Sequence, residues 1–423
     1  MKDNELIGKK LLILAGADVH TKVVKAAKAL GVYTIVTDYL SPEDSPAKLE
    51  ADEYWMLNIT DIDAIVAKCR EKQVDGVLAF CIDPAQIPYQ QVCERLGVPC
   101  YGTKEQFEIL TNKRRFKDYC TQCGVDVVPE YTLEDIANDH AVFPVLVKPT
   151  DSRGSRGQTI CYNKQQLPAA IDIAKKEAHD SGFLIERYMM GCRDMSFAYA
   201  VIDSEPYLVK IGDRYLGTIE DGLDRQQVAS ILPSIHADEY IQNIEPKVKA
   251  MIHSLGFQFG AVFLQGFLEN GRVYMYDPGL RFPGSDFDLV VRDTTGYDNM
   301  STFVRFSLTG DVRSRVGNPV NAWQMNGNIC FIFSIDAREG RISTFSGMDV
   351  VAADPHVLSA SQRFHCGDYI KATGDIGQRM AEFIVCLPNR EAVKQFINFV
   401  YNTVHILDEN GEDMIVSKIN NID

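Results

Sequence analysis

The chain has 423 residues, of which 46% are hydrophobic and 24% are charged, and its formal net charge is −15 at pH 7. This composition is typical of an ordinary soluble globular protein, and the length predicts two or three domains. The acidic charge argues against a nucleic-acid partner, because binding a phosphate backbone relies on positive surface. No apolar run approaches the roughly 20 residues that span a bilayer, which argues against a membrane partner.

The amino-terminal segment and the cysteines indicate a compartment. The start MKDNELIGKK is polar, and the apolar LLILAG that follows it is too brief for a signal peptide. The eleven cysteines are not spaced as metal ligands, and the CxxC of Cys120 and Cys123 lacks the second pair of a structural zinc site. We therefore predict packing or surface thiols in a reduced, cytoplasmic protein.

Residues 1–105 alternate between strand and helix patterns, which predicts a doubly wound parallel sheet. The predicted strands are 11–14, 33–37, 53–57, 76–80 and 98–101, and the predicted helices are 23–30, 62–70 and 84–96. Binding of NAD is an alternative for this region, because Asp38 lies at the usual distance of a ribose-binding acid. Gly16, however, stands alone where the dinucleotide fingerprint needs three glycines. A small-substrate or structural role is therefore favoured.

The segment 143–157, FPVLVKPTDSRGSRG, predicts a phosphate-binding loop. An apolar strand brings Lys148 to its end, and the small residues of 152–157 follow. Glycines let a backbone approach an anion closely, and successive N–H groups of such a loop form an anion-binding concavity that a lysine can complete. In a P-loop the lysine follows the glycines, so this is not that motif. An exposed hairpin is the alternative on these residues alone.

Two further strand segments carry groups that suit a nucleoside. The predicted strand 183–186 ends in Glu186 and runs into the linker RYMM, and the predicted strand 195–202 begins near Asp194. Backbone groups of such a linker can bind the edge of an adenine while side chains cover its face. A carboxylate such as Asp194 can accept hydrogen bonds from ribose hydroxyls. A solvated meander is the alternative.

A predicted hairpin carries the remaining candidates. Strand 260–268, an Asn-Gly turn and strand 272–276 place Gln265 and Asp277 on opposite strands. Asp277 is a candidate metal ligand beside Arg281, which would stabilise an anion. An ordinary hairpin with a polar end is the alternative.

Lys113, the segment 147–149 with its loop, the segment 185–189 and the hairpin ending in Asp277 and Arg281 together resemble the ATP-grasp ligases, in this order, across roughly residues 1–330. The resemblance is to the carboxylate–amine ligase type, with carbamoyl-phosphate synthase and biotin carboxylase. It implies an α/β and α+β architecture. A pre-ATP-grasp doubly wound parallel sheet would occupy 1–105 and an ATP-grasp domain of two α+β subdomains 106–328, with a lid at about 127–193. A small C-terminal α+β subdomain would occupy 329–423.

The resemblance also implies roles for individual residues. It places ATP on Lys113, Lys148, Ser152, Gly154, Ser155, Gly157, Glu186, Arg187, Met189 and Asp194. The two lysines would contact phosphates and the loop 152–157 would close over them, while Glu186, Arg187 and Met189 would hold adenine and Asp194 the ribose. Arg281 and Lys148 would be catalytic, with Arg281 stabilising an acyl phosphate and its tetrahedral successor.

Two positions depart from the family pattern in the resemblance. Gln265 stands where a carboxylate is usual, and Gly279 where an asparagine is usual; these groups normally hold two magnesium ions. Asp277 together with ATP oxygens suffices for one Mg²⁺, with Gln265 as its neutral neighbour. Glu220, Asp286 or Asp288 would be substitutes for the missing acid.

We therefore predict an ATP-dependent ligase that activates a small-molecule carboxylate as an acyl phosphate for attack by an amine or another nucleophile, releasing ADP and phosphate. Its cofactors would be ATP and Mg²⁺, its partners small-molecule carboxylates and amines, and a homodimer is compatible with the resemblance. The alternative, motivated by Gln265 and Gly279, is an ATP-binding module that has lost catalysis.

Overall fold

The computed structural model describes residues 5–151, 156–180, 182–217, 226–284, 287–373, 376–419 and 422. The loop positions Ser152, Gly154 and Ser155 therefore lie outside the described residues, as do the substitute acids Glu220 and Asp286. Within the described ranges, no helix is long and apolar enough to cross a membrane.

A four-stranded parallel sheet in the order β3-β2-β1-β4 forms the amino-terminal region. Its strands are β1 (Lys10–Leu14), β2 (Tyr33–Thr37), β3 (Glu53–Trp55) and β4 (Gly76–Ala79), and the helices between and after them are α1 (Thr21–Ala29), α2 (Pro46–Glu50), α3 (Ile62–Lys72) and α4 (Gln86–Leu96). The apolar run of β1 is fully buried, as expected of a parallel strand covered on both faces. The predicted parallel sheet is thus confirmed.

The segment 98–101, predicted as a fifth strand, is not a strand in the structure. Its side chains are used for packing instead: the ring of Tyr101 stacks on that of Tyr89 with centroids 4.7 Å apart, and its hydroxyl donates to Gln86 Oε1 at 2.7 Å. The aromatic and β-branched composition that indicated a strand therefore reflects burial under helix α4. This part of the prediction was wrong.

A small antiparallel sheet in the order β6-β5-β7 follows, within the region predicted as the lid. Its strands are β5 (Val145–Pro149), β6 (Thr159–Cys161) and β7 (Phe183–Arg187), and the helices before and beside it are α5 (Lys104–Ile109), α6 (Lys113–Gln122), α7 (Leu133–Ala137) and α8 (Leu167–Glu177). One face of the sheet buries Val145, Val147 and Ile185 against α8, which makes a separate small core.

A nine-stranded sheet organises the rest of the chain, in the order β12-β11-β8-β9-β10-β13-β18-β16, with β20 also paired to β13. Its strands are β8 (Arg193–Ile202), β9 (Glu205–Gly217), β10 (Gln226–Leu232), β11 (Phe259–Glu269), β12 (Arg272–Gly279), β13 (Ile329–Ala337), β16 (Val357–Gln362), β18 (Arg379–Leu387) and β20 (Ile415–Val416). The helices are α9 (Ala237–Asn243), α10 (Glu245–Ser254), α11 (Phe287–Thr295), α12 (Asn299–Thr309), α13 (Met348–Ala352) and α14 (Arg390–Thr403).

Two short pairs complete the fold: β14 (Gly340–Arg341) with β17 (Tyr369–Ile370), and β15 (Thr344–Ser346) with β19 (His405–Leu407). Strands of the carboxyl-terminal region thus pair into the same sheet as β10, through β13. The domain boundaries at 105 and 328 stay predictions.

Candidate active site

The amino terminus of α6 positions Lys113 at the edge of the site. The Asn112 side chain accepts hydrogen bonds from the backbone N–H groups of Arg114 and Arg115, which is an N-cap that fixes where the helix begins. The backbone N–H of Lys113 donates to the carbonyl of Thr150, two residues after Lys148. Its ammonium lies 3.2 Å from Asp277 Oδ1. Helix α6 therefore joins the loop-bearing small sheet to the hairpin of the large sheet.

Lys148 ends in a buried cluster of two lysines and one glutamate. Glu186 Oε2 lies 2.7 Å from Lys148 Nζ, and Glu186 Oε1 lies 2.7 Å from Lys117 Nζ. All three side chains are almost fully buried, which a charged group tolerates only when it is paired. The resemblance assigned Glu186 to adenine, whereas the structure places its carboxylate between two lysines. Lys117 was not predicted, although it lies one helical turn after Lys113.

The charges of this cluster stabilise each other in a dry environment. Burial alone would raise the pKa of Glu186, but the positive charges of Lys148 and Lys117 outweigh it, and the pKa is lowered. Burial lowers the pKa of Lys148, and the Glu186 carboxylate opposes that effect. The ammonium of Lys148 also lies 3.4 Å from the carbonyl oxygen of Tyr276. A cation is thus held beside the residue that precedes Asp277.

Asp194, assigned to ribose by the resemblance, is paired inside the protein. Its Oδ2 lies 2.6 Å from Arg214 Nη1, and the hydroxyl of Tyr276 donates to its Oδ1 at 3.0 Å. Burial raises the pKa of Asp194, and the guanidinium of Arg214 opposes the shift. Arg214 was not predicted from the sequence, because its place in the long strand β9 gave no motif.

The linker after β7 carries two more residues assigned to adenine. The guanidinium of Arg187 forms an ion pair with Glu269, near the tip of the hairpin, and Met189 is buried. The backbone N–H of Arg187 donates to the carbonyl of Pro129 at 2.9 Å. These contacts hold the linker against the preceding chain.

Gly157 is the predicted loop glycine that the structure describes, and its φ of +72° favours glycine. A Cβ at this position would lie 2.8 Å from side-chain atoms of both Glu177 and Pro149, so a side chain is excluded sterically as well.

The hairpin carries Gln265 and Asp277 on opposite strands, as predicted. They lie directly opposite each other because the register shifts between Gln265 and Gly266; the register next to the turn would have paired Gln265 with Tyr276. Strand β12 does not end at Tyr276 as predicted but continues through Gly279, which pairs with Phe263. The predicted end of the strand was wrong: Pro278 lies opposite Leu264, and β12 keeps its register with β11 from Asp277 through Gly279. Asp277 is therefore held on a paired strand, with its side chain 30% exposed.

Arg281 is bound by Asp83, which follows strand β4 of the amino-terminal sheet. Its Nη2 lies 3.0 Å from Asp83 Oδ2 and its Nε 2.5 Å from Asp83 Oδ1, so the pair is bidentate. The guanidinium also lies 5.4 Å from the centroid of the Phe263 ring. Asp83 follows β4, at the carboxyl edge of the parallel sheet, where ligand-binding groups are usual. That position was the available signal, and the sequence analysis did not use it.

Oxygen donors for a magnesium ion are sparse at the hairpin. Among the described residues, no group of three or more His, Cys, Asp or Glu side chains gathers to hold a metal. Asp277 is a partly exposed carboxylate and Gln265 a neutral oxygen donor across from it. This donor set fits one Mg²⁺ that takes its other ligands from phosphates and water.

Asp288, one of the substitute acids, is almost fully buried at the start of α11. Its Oδ1 accepts a hydrogen bond from Asn299 Nδ2 at 2.5 Å. Burial raises the pKa of this carboxyl to about 6, although the charge of Lys22 opposes the shift.

Asp288→Asn is expected to stabilise the protein at pH 8. The carboxyl has a pKa of 3.8 when unfolded and about 6 when folded, so stability is lost as pH rises through this window. A pKa difference of about two units corresponds to a loss of at most about 3 kcal/mol in the free energy of unfolding. The variant avoids this loss because asparagine, like the protonated acid, is neutral. Urea unfolding should show a gain of about 1–3 kcal/mol at pH 8 and a much smaller one at pH 4.5. Equal stability of parent and variant at both pH values would contradict the buried charge.

The segment that contains Lys113, Lys148, Glu186 and Asp194 matches a known family model. Residues 112–265 match the family model described as the carbamoyl-phosphate synthase L chain, ATP binding domain. Over 95% or more of its length the chain shares its fold with solved structures of a ligase and of a biotin carboxylase domain. The resemblance predicted from the sequence is thereby confirmed.

Particular relatives are distant in sequence. The chain is 25% identical over 256 residues to the 2-oxoglutarate carboxylase small subunit of Hydrogenobacter thermophilus, covering 54% of this chain and 51% of that protein. The L-amino acid ligase from Bacillus licheniformis shares its fold with a TM-score of 0.78 and 18% identity, covering 96% of this chain and 100% of that one.

A second solved structure is the biotin carboxylase domain dimer of the Hydrogenobacter thermophilus 2-oxoglutarate carboxylase, in complex with MgADP, ADP and bicarbonate. Its TM-score is 0.73 at 19% identity, covering 95% of this chain and 91% of that one. The chain spans about half the length of the curated relatives it matches.

Proposed function

We propose that the protein is an ATP-dependent ligase that activates a small-molecule carboxylate as an acyl phosphate and passes the acyl group to an amine or another nucleophile. The observation that carries this proposal is that the ammonium groups of two lysines lie next to strand β12 of the hairpin. Lys113 lies 3.2 Å from Asp277, and Lys148 lies 3.4 Å from the carbonyl of the preceding residue. Cations from the small sheet and α6 thus converge on the strand that leads to Arg281, as a triphosphate beside a carboxylate requires.

The chemistry follows from charge. A carboxylate oxygen attacks the γ-phosphorus of ATP, forming an O–P bond while the bond to ADP breaks, and the two reactants are anions that repel each other. Lys113, Lys148 and Arg281 would offset this repulsion and hold both anions in line. The nucleophile then attacks the acyl carbon and phosphate leaves with the bonding electrons, because phosphate is a far better leaving group than hydroxide.

Magnesium fits this site at Asp277 and Gln265. When bound there with the nucleotide, the ion would neutralise phosphate charge during transfer. The roles of Glu186, Arg187, Met189 and Asp194 toward the nucleoside, and of the loop 152–157 toward the phosphates, belong to the same proposal. The family model describes an ATP binding domain, and the Hydrogenobacter domain was solved in complex with MgADP; both support these proposed roles.

A screen for activation of acids tests the proposal. The protein is incubated with Mg²⁺, ATP and carboxylic acids, with an amine mixture or with hydroxylamine, which traps acyl phosphates as hydroxamates. We expect ADP release and hydroxamate formation that depend on the acid. ATP binding without ADP release for any acid would instead support the alternative, a nucleotide-binding module without catalysis.

The alternative is motivated by the neutral amide opposite Asp277, and Gln265→Glu addresses it. A second carboxylate at this place should tighten magnesium, because hard divalent ions prefer charged oxygens. We expect the Mg²⁺ concentration for half-maximal nucleotide binding to fall several-fold. The matched control Gln265→Met removes the side-chain oxygen without adding charge and should not lower it. An unchanged magnesium dependence in Gln265→Glu would show that the ion does not bind at this strand pair.

The partners and the compartment belong to the same proposal. We infer that the substrates are a small carboxylate and an amine, and that the protein works in the reducing cytoplasm. All eleven cysteines are free thiols in the structure, which supports a reducing compartment. A homodimer is part of the proposal because the Hydrogenobacter domain is described as a dimer, and sedimentation would test it.

A further inference from the structure

Four large apolar side chains lie exposed around strand β3, at the edge of the parallel sheet. Tyr54 lies on the strand, Met56 follows it, Leu49 lies on α2 and Tyr39 follows β2. Each of these side chains is between 47% and 69% exposed. Single exposed apolar residues are common on protein surfaces, but a contiguous group of them marks an interaction surface. We call these four residues the β3 patch.

The buried side chain of Lys48 shows that the β3 patch is contiguous. Its ammonium lies 5.9 Å from the ring centroid of Tyr54 and 3.3 Å from the sulfur of Met56. The same ammonium donates to the carbonyls of the residues before and after Tyr39, at 3.0 and 2.5 Å. Leu49 is the next residue after Lys48 on α2. All four apolar side chains therefore surround one fixed group and form a single surface.

Strand β3 also has an outer side that no other strand covers. In the part of the chain that the structure describes, the parallel sheet has the order β3-β2-β1-β4, so β3 pairs with β2 alone. Backbone N–H and C=O groups along such an edge are a template for a further strand. Sheet edges are usually protected by charged residues or proline, whereas the exposed residue of β3 is Tyr54. An extended segment can therefore pair with β3 and cover the β3 patch.

The charge around the β3 patch indicates which kind of segment fits. Glu43 and Asp44, in the turn between β2 and α2, are both exposed, and Glu50 is exposed next to Leu49. A second copy of the chain would bring a further net charge of −15 to this acidic border. An anionic membrane surface or a nucleic acid would be repelled in the same way. Lysine or arginine beside apolar residues in a partner segment would instead match the border in charge.

We propose that the β3 patch binds an extended segment of a protein partner that pairs with β3 and carries lysine or arginine at its flanks. Because successive side chains of a strand point to opposite faces, every second residue of the segment contacts the patch and is apolar. The inference goes beyond the proposed function and does not depend on it. None of the residues assigned to nucleotide, magnesium or acid belongs to the β3 patch.

Selection from a random peptide display library, with peptides of about 12 residues, on the full chain tests the proposal. We expect the enriched peptides to alternate apolar and polar residues and to carry lysine or arginine near an end. Synthetic copies are then titrated with parent and variants by fluorescence anisotropy. The double variant Tyr54→Thr with Met56→Thr keeps residues that suit a strand but removes apolar contact area, and should bind about tenfold more weakly or worse. Leu49→Ser tests the same surface from α2, so the result does not depend on the folding of the strand variant.

The matched control is Tyr162→Thr, which removes a tyrosine that is 62% exposed after β6 and should bind the peptides as the parent does. Glu43→Gln with Asp44→Asn should weaken binding several-fold and reduce its salt dependence. The proposal would be overturned by a selection that enriches no peptide, or by enriched peptides that lack basic residues or bind the Tyr54→Thr, Met56→Thr variant as tightly as the parent. A parent dimer that dissociates in this variant on sedimentation would also overturn it, because β3 would then bind a second copy. Thermal unfolding confirms that each variant is folded.

Discussion

Asp277→Asn is expected to lower ATP turnover by about a hundredfold or more, because metal-ion stabilisation of a transferring phosphoryl group contributes several kcal/mol. Asparagine keeps the shape of the side chain on β12 and removes its charge, leaving a neutral oxygen that binds a hard divalent ion weakly. Nucleotide binding should change much less, since Lys113 and Lys148 still hold the phosphates. ADP release is measured for turnover, and a magnesium titration of nucleotide binding measures the ion directly.

The matched control for this variant is Asp126→Asn. Asp126 pairs with Arg272 at the other end of strand β12, and the side chains of Arg272 and Asp126 are 59% and 32% exposed. Loss of the Asp126 charge should therefore leave ATP turnover unchanged. Normal turnover in Asp277→Asn, with an unchanged magnesium dependence, would place the ion elsewhere in the protein.

Lys148→Met is expected to weaken ATP binding by at least about tenfold, which corresponds to ~1.4 kcal/mol. Methionine retains the apolar stem of the lysine, and the variant removes the charge that the buried cluster holds beside Tyr276. Calorimetry with ATP and Mg²⁺ gives the affinity of parent and variant.

Lys117→Met separates loss of a phosphate contact from damage to the buried cluster. Lys117 pairs with the same carboxylate as Lys148, at the same 2.7 Å. Its other contacts are the carbonyl of Val128 at 2.8 Å and Glu130 Oε2 at 3.4 Å, so they lie away from Tyr276 and the hairpin strand. Both variants leave Glu186 with one lysine, so they should lose similar stability, while only Lys148→Met should lose most of its affinity for ATP. Equal affinity of Lys148→Met and parent would remove this lysine from the proposed site.

Periodicity and turn chemistry made much of the fold predictable. The alternation of β-branched strands with amphipathic helices located β1 to β4, and the Asn-Gly turn located the hairpin of β11 and β12. These signals are local, because a strand period or a turn type depends on a few neighbouring residues. The strand predicted at 98–101 was wrong for the same reason, because the prediction used local composition alone. In the folded chain these residues pack beneath helix α4 instead of pairing in the sheet.

The site was less predictable because its partners are distant in sequence. Asp83 meets Arg281 across 198 positions, and Lys117 meets Glu186 across 69. No local pattern indicates such pairs. A lysine or aspartate that belongs to no sequence motif is predicted to be a solvated surface side chain. The motifs found Lys113, Lys148 and Asp277, which the structure brings together, but the ion pairs of Glu186, Asp194 and Arg281 required the fold.

Transfer of an oxygen atom tests the central claim most directly. Once the screen identifies an acid, that acid is prepared with ¹⁸O in its carboxylate, and the phosphate released with the ADP is analysed by ³¹P NMR or mass spectrometry. Formation and breakdown of an acyl phosphate moves one carboxylate oxygen to phosphorus, so the account predicts one ¹⁸O in each phosphate released. Phosphate without ¹⁸O, or label appearing in AMP with release of pyrophosphate, would contradict it.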